Sequence, residues 1–196
     1  SQARASVRDV RLAECQGKSK MFEIVTETLL LRDFRKSDLD AFRSIRRDAK
    51  FQRFYDEEDS ADRKADQLLS LFIEQAAETP RSKYQLAITT TQGELIGTCG
   101  IRSDGTSEFS IGCELERLWH GKGVALEAGK AMINFGFSEL GASRIYAETV
   151  SENTAAIRLC RLLGMKLETE RENDRYFKGR EWGTTILSIC RGSWSA

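Results

Sequence analysis

With 196 residues, 40% of them hydrophobic and 31% charged, the chain is long enough to bury one core and too short for two ordinary domains. Its 30 basic and 30 acidic side chains cancel, which gives no indication of a nucleic-acid or membrane partner, and no apolar run approaches the roughly 20 residues of a membrane span. Five scattered cysteines without CxxC spacing argue against a disulfide framework or a metal site and predict a soluble, cytoplasmic protein.

The N-terminal part of the chain predicts an extension, then a strand and a helix. Residues 1–20 mix charged and small polar residues with little apolar periodicity, which predicts a flexible or loosely docked extension ahead of one domain, residues 21–196. Residues 29–32 (LLLR) are typical of a buried strand. Ser37 and the acidic residues after it predict a helix that ends near Arg47.

A second helix and three strands follow. The helix, with Ser60 as its N-cap, should end before Pro80, because the residue preceding a proline is pushed out of the helical region. The strands are residues 84–90, 94–101 and 108–115, with turns at Gln92-Gly93 and Gly105. Short turns of this kind predict antiparallel pairing.

The C-terminal half predicts a strand-helix-strand-helix unit and two final strands. A glycine turn after residue 115 leads into an amphipathic helix, and residues 144–150 alternate as a strand before a shorter helix that ends at Gly164. The tail, residues 165–190, predicts two strands joined around Lys178-Gly179-Arg180. The whole predicts one mixed α/β (α+β) domain with seven strands and about four helices.

The glycine turn, His120-Gly121-Lys122-Gly123-Val124-Ala125, is the clearest candidate binding element. A strand-to-helix turn with glycines leaves backbone N–H groups unpaired beside the positive end of the helix dipole, which suits a pyrophosphate. Taken alone it is equally compatible with an ordinary tight turn, and its spacing matches neither G-x-x-x-x-G-K-[ST] nor G-x-G-x-x-G. His120 is the only histidine, which argues against Ser-His-Asp or Cys-His hydrolase chemistry.

Three segments together resemble the GNAT N-acetyltransferases, specifically the RimJ/RimL-like ribosomal-protein branch. They are the glycine turn, residues 27–32 (ETLLLR) and residues 153–156 (NTAA), and the resemblance extends over residues 26–190. His120 stands where glutamine, arginine or tryptophan is usual, a departure that leaves backbone phosphate binding intact. The proline common before the loop is replaced by Arg117, so the path of the loop is open at that point.

The resemblance implies a mostly antiparallel seven-stranded sheet that splays between its fourth and fifth strands, with acetyl-CoA in the gap. The positions it assigns to the coenzyme are Cys113, Glu114 and Leu115 for the pantetheine arm, the loop residues His120, Gly121, Lys122, Gly123, Val124, Ala125 and Leu126 for the pyrophosphate, and Asn153.

The implied reaction is direct attack of an amine on the acetyl thioester. Glu148 matches a glutamate used as base in Rim-type relatives, and Glu114 is the competing carboxylate. Cys160 occupies the position of a tyrosine that protonates the departing thiolate in many relatives, although it also fits the apolar face of its helix, and Ser151 or solvent could serve instead. The backbone N–H of Leu115 is the expected oxyanion donor.

The sequence therefore predicts an acetyl-CoA-dependent N-acetyltransferase for a protein N-terminal amine or a small amine, often a homodimer in this family. The acidic residues 56–59 with Asp62 could attract a cationic amine or could simply be solvated. Two other functions remain open: a CoA-binding sensor or scaffold without turnover, and a nucleotide-binding protein that uses the glycine turn.

Overall fold

One nine-stranded sheet forms the centre of the computed structural model, which describes residues 9–15 and 18–195, with side chains for 9–11 and 21–195. In chain order the strands are β1 Asp9–Cys15, β2 Lys18–Val25, β3 Leu29–Asp33, β4 Lys83–Thr90, β5 Leu95–Arg102, β6 Glu108–Leu115, β7 Arg144–Val150, β8 Lys166–Phe177 and β9 Arg180–Cys190. Their order across the sheet is β1-β2-β3-β4-β5-β6-β7-β9-β8, and only β6 and β7 pair parallel.

Helices cover both faces of this sheet. They are α1 Leu39–Arg47, α2 Ala49–Gln52, α3 Asp62–Ala76, α4 Val124–Ser138 and α5 Thr154–Leu162. On one face, called the α1 face, α1 and α3 bury Phe42 and Leu69 against Ala87 and Leu95. On the other, called the α4 face, α4 and α5 pack on a larger core that includes residues of most strands. Burial on both faces fixes the sheet between two layers of helix.

The mixed α/β class is confirmed, and the seven strands that the sequence predicts are β3 to β9. The structure adds β1 and β2 within residues 9–25, part of which the sequence assigns to a flexible extension. In β1 only Val10 and Leu12 alternate as apolar residues, too short a pattern to indicate a strand, and they lie opposite Ile24 and Phe22 of β2. Residues 1–8 of the expected extension lie outside the described residues.

Two local details also differ from the sequence prediction. The structure adds the one-turn helix α2, which has no apolar periodicity. Ser60 is not the N-cap of α3, because its hydroxyl donates to the carbonyl of Asp56 and the helix begins after Ala61.

The sheet opens between β6 and β7, as the sequence resemblance implies. Their parallel pairing is confined to three residues of each strand, and it ends with Ser110 opposite Tyr146. Beyond this point β6 stays paired with β5, and β7 with β9, so that the two strands diverge. The gap therefore begins after Ser110, and the glycine turn follows the end of β6 beyond it.

Candidate active site

The turn between β6 and α4 depends on two glycines in the left-handed region. Gly121 has a φ of 73° and Gly123 a φ of 81°. A Cβ placed on either would meet no heavy atom within 4 Å, so the backbone conformation, and not lack of space, requires glycine. The open space over these residues leaves the backbone accessible to a ligand.

The N-terminus of α4 lies directly after this turn and has free donors. No side chain caps the helix, and the amides of Val124, Ala125 and Leu126 have no acceptor in the described part of the chain. Unpaired N–H groups at the positive end of a helix dipole form a ready site for an anion. The ammonium of Lys122 lies 5.1 Å from the ring centroid of Trp119, beside the same turn.

His120 fastens the turn to the end of β6. Its Nε2 lies 3.0 Å from the carbonyl oxygen of Leu115, and because a carbonyl only accepts, Nε2 carries the hydrogen. The imidazole therefore shapes the turn, a role that glutamine or arginine at this position could also fill by donating a hydrogen bond.

Glu127 links the first turn of α4 to the segment before β3. Its carboxylate accepts from the Thr26 hydroxyl at 2.6 Å and from both the amide and the hydroxyl of Thr28 at 2.7 Å. Partial burial raises the pKa of Glu127, but these hydrogen bonds outweigh the burial and hold the pKa below its ordinary value. The helix N-terminus is thus fixed against the sheet.

Replacing Glu127 by glutamine should destabilise the protein by about 1–2 kcal/mol, since at least one charge-assisted hydrogen bond is lost. A carboxyl whose folded pKa is lowered stabilises above its unfolded pKa, about 4.3, and loses that contribution as the pH falls through the folded value. The difference in free energy of unfolding between the wild-type protein and Glu127→Gln, measured with denaturant, should therefore be smaller in acid than at pH 7. Glu139→Gln, at the other end of α4, is the matched control, and an equal loss there would contradict the assignment.

A cavity of about 420 Å³ passes through the gap and reaches both faces of the sheet. On the α4 face it is lined by residues that include Ile111, Cys113, Gly129, Ala156, Leu159 and Cys160. On the α1 face it is lined by residues that include Phe42, Arg46, Tyr55, Leu68, Phe72 and Glu114. One continuous space therefore connects the two faces of the sheet at the gap.

The backbone of β6 presents free groups to this gap. The amide of Glu116 donates to the Ile96 carbonyl of β5 at 2.8 Å. Because successive residues of a strand point their N–H and C=O groups to opposite sides, Cys113 and Leu115 face the gap. Glu114, which the sequence also assigns to the pantetheine arm, does not present its backbone to the gap. Its backbone is directed to β5, and only its side chain reaches the cavity.

Glu114 directs its carboxylate to the α1 face, where the Tyr55 hydroxyl donates to its Oε1. Burial raises the pKa of Glu114, and the hydrogen bond from Tyr55 and the charges of Arg46 and Arg102 lower it by less. Burial and the Glu114 charge raise the pKa of Tyr55 well above its ordinary value, so the phenol keeps its proton. A partly buried carboxylate with a raised pKa is suited to accept a proton near neutral pH.

Glu148 lies on the α1 face, like Glu114, because its neighbour Ala147 is buried on the α4 face and successive strand residues point to opposite faces. Its side chain lines the cavity but is 42% exposed, and Arg175 Nη2 donates to it at 2.5 Å. Arg171, which like Arg175 is on β8, places its Nη2 3.9 Å from Oε2 of Glu148. Both arginines thus form ion pairs with this carboxylate.

The cysteine of α5 lies in the cavity wall and in the core. Cys160 is 6% exposed, and burial raises its pKa to about 11. Proton transfer from such a thiol to a thiolate with an ordinary pKa of about 8.5 is uphill by about 3 kcal/mol. Cys160 therefore fits better as packing than as an acid.

Asn153 and Ser151 are both near the start of α5. Asn153 Oδ1 caps the helix by accepting from the Ala156 amide at 3.2 Å, and Asn153 also lines the cavity. Ser151 accepts from the Thr185 hydroxyl at 2.9 Å and is not in the cavity wall.

The acidic loop is largely paired within its own surroundings. Asp62 binds Arg47 at 2.5 Å, and Asp59 lies 3.5 Å from Lys64. Of residues 56–59, only Asp59 lines the cavity.

Three residues of the cavity wall were not predicted from the sequence: Tyr55, Arg46 and Arg102. They have no local sequence signal, because each reaches the cavity only through the packing of distant elements.

Residues 9–15 and 18–195 contain neither a cluster suited to a metal ion nor a helix suited to span a membrane. No group of three or more His, Cys, Asp or Glu side chains is arranged to hold a metal ion. None of the helices found there has both the length and the apolar character needed to cross a bilayer.

A family model described as an acetyltransferase (GNAT) domain matches residues 28–166. An uncharacterized N-acetyltransferase, p20 of Bacillus licheniformis, is 29% identical over 176 residues, 87% of this chain and 97% of that protein. A GNAT-family acetyltransferase from Bacillus anthracis superposes with a TM-score of 0.75 at 20% identity, covering 87% of this chain and 99% of that one. Mycobacterium smegmatis RimJ, solved in complex with CoA-disulfide, superposes with a TM-score of 0.71 at 18% identity, covering 83% and 81%.

Proposed function

Because the chain belongs to the GNAT acetyltransferase family, we propose that it transfers the acetyl group of acetyl-CoA to a primary amine, either a protein N-terminal amine or a small amine. The observation that carries the proposal is the cavity through the sheet, which has Gly129 of α4 in its wall on one face and the carboxylate of Glu114 on the other. The free amides of Val124, Ala125 and Leu126 lie at the N-terminus of the same helix.

The residues on the α4 face fit acetyl-CoA. The amides of Val124, Ala125 and Leu126 would bind the pyrophosphate, and Lys122 adds a nearby positive charge. The gap-facing backbone of Cys113 and Leu115 offers a strand edge to which the amides of the pantetheine arm can hydrogen-bond. The thioester would then lie at the point where β6 and β7 diverge.

The acceptor amine enters from the α1 face and must lose a proton before it attacks. At pH 7 deprotonation costs about 1 kcal/mol for an α-amine and about 4–5 kcal/mol for a lysine-like amine. Glu114 takes this proton, because its raised pKa and its place in the cavity suit the role better than the arginine-paired Glu148. The nitrogen then forms a C–N bond as the C–S bond breaks, and the second proton lost by the nitrogen passes through water to the leaving thiolate.

Thiol release from acetyl-CoA with a panel of amines and peptides tests this function, together with calorimetric titration of CoA. We expect saturable CoA binding and amine-dependent release of one thiol for each acetylated product. CoA binding without turnover on any amine would instead indicate a sensor, and competition by ATP at equal affinity would indicate a nucleotide-binding protein.

A further inference from the structure

Arg46 of α1 is a buried cation in the cavity wall. The residue is only 6% exposed, and its guanidinium lies over the rings of Phe42 and Phe51, at 5.6 and 5.0 Å from their centroids. A buried charge is costly unless it is paired, and aromatic faces supply only part of that compensation. The position of Arg46 therefore calls for a counter-charge.

The protein does not supply that counter-charge by direct contact. The one hydrogen bond from the guanidinium joins Nη2 to the carbonyl of Asp59 at 2.6 Å, and Nε has no partner among the described residues. In the same part of the chain no carboxylate oxygen lies within 4.0 Å of its nitrogens. The carboxylate of Asp59 is directed to Lys64.

Glu114 is close enough for the charge of Arg46 to lower its pKa, but it is not in ion-pair contact. Its hydrogen bond is with Tyr55, and both Glu114 and Arg46 line the cavity. Arg102 adds a second positive charge to the same wall, with its Nε donating to the Ser110 hydroxyl. On the α1 face of the cavity, Glu114, Arg46 and Arg102 thus have no ion-pair partner among the described residues, whereas Asp59 is paired with Lys64 and Glu148 with Arg175.

We propose that the acceptor amine also carries a carboxylate or a phosphate, and that this anionic group binds Arg46 while the amine lies at Glu114. The inference rests on the acetyl transfer proposed above and narrows its acceptor class. Arg46 then acts as a specificity-determining residue, because an amine without the anionic group leaves the guanidinium unpaired.

Matched acceptor pairs test the idea on the wild-type protein. The carboxylate arm compares each amino acid with its C-terminal amide, and the phosphate arm compares phosphoethanolamine with ethanolamine. A carboxylate raises the pKa of the neighbouring amine, so that intrinsic reactivity favours the amide and any preference for the acid reports binding. We expect kcat/KM to be at least about tenfold higher for the anionic member of the preferred pair.

Variants of Arg46 connect this preference to the residue. Arg46→Met should reduce the ratio within the preferred pair to about one, and Arg46→Lys should retain part of it. The matched control is Arg47→Met, since Arg47 is on the outer side of the same helix and pairs with Asp62. Thermal unfolding and the Kd for CoA report whether each variant is folded.

Product binding covers the case in which Arg46→Met does not fold. For the wild-type enzyme, the N-acetylated acid should inhibit competitively against the acceptor more strongly than the N-acetylated amide. Transfer to neutral amines at rates equal to their anionic partners, or an Arg46→Met variant that keeps the ratio, would overturn this inference while acetyl transfer stands. If no amine is acetylated, both the proposed acetyl transfer and this inference about its acceptor are contradicted.

Discussion

Replacing Glu114 by glutamine should lower kcat/KM by about 10²–10³-fold, because the glutamine amide cannot take a proton from the protonated acceptor amine. The Kd for CoA should be unchanged, since the backbone of this residue pairs with β5 and its side chain lies on the face opposite α4. Steady-state thiol release and calorimetric titration on the same preparation measure the two quantities.

The pH profile separates this role from a structural one. Burial raises the pKa of Glu114, and the carboxyl works as a base only when ionised, so wild-type kcat/KM should fall as the pH decreases through a value above the ordinary 4.3 or so. That acidic limb should be absent from the glutamine variant. The half-exposed Glu148 is the control, and Glu148→Gln should keep most of the activity. A larger loss in Glu148→Gln than in Glu114→Gln would assign the base to β7.

Replacing Gly123 by valine should raise the Kd for CoA by at least about tenfold. Gly123 has a φ of 81°, a conformation that costs a β-branched residue about 2 kcal/mol or more, and the added methyl groups would stand beside the free amides of α4. The variant can relieve the strain only by moving the turn, which displaces the donors from the pyrophosphate position.

Gly93→Val provides a control with the same backbone strain. Gly93 has a φ of 87° in the turn between β4 and β5, and a Cβ there also meets open space. Both variants should lose stability in thermal unfolding, but only Gly123→Val should lose affinity for CoA. Equal affinities in the two variants would contradict pyrophosphate binding at this turn.

The sequence was sufficient to propose the coenzyme half of the site, because the residues proposed for it are local in the chain. The glycine turn, the strand before it and Asn153 lie within 40 or so residues of one another and owe their positions to turn chemistry and apolar periodicity. The same local signals predicted β3 to β9 and the helices α1, α3, α4 and α5. β1 was not predicted, because two alternating apolar residues do not distinguish a strand from a loop.

The other half of the site depends on contacts between distant segments, which a single sequence does not reveal. Tyr55 reaches Glu114 across 59 positions, and Arg46 belongs to a helix whose apolar face gave no indication of a ligand. The preference for Glu148 as base likewise could not take account of Arg175, which approaches it from β8. These contacts change which carboxylate is free to accept a proton.

The division of the cavity between separate stretches of chain bears on how such a protein diverges. The wall on the α1 face comes largely from residues 39–76, whereas Gly129 of α4 and residues of α5 line the opposite side. Substitutions in the first stretch can alter which amine is accepted without disturbing the coenzyme half. Descendants of one ancestral gene can therefore exchange acceptors stepwise while remaining active, and a graft of residues 39–76 from a relative should carry the donor protein's preference with it.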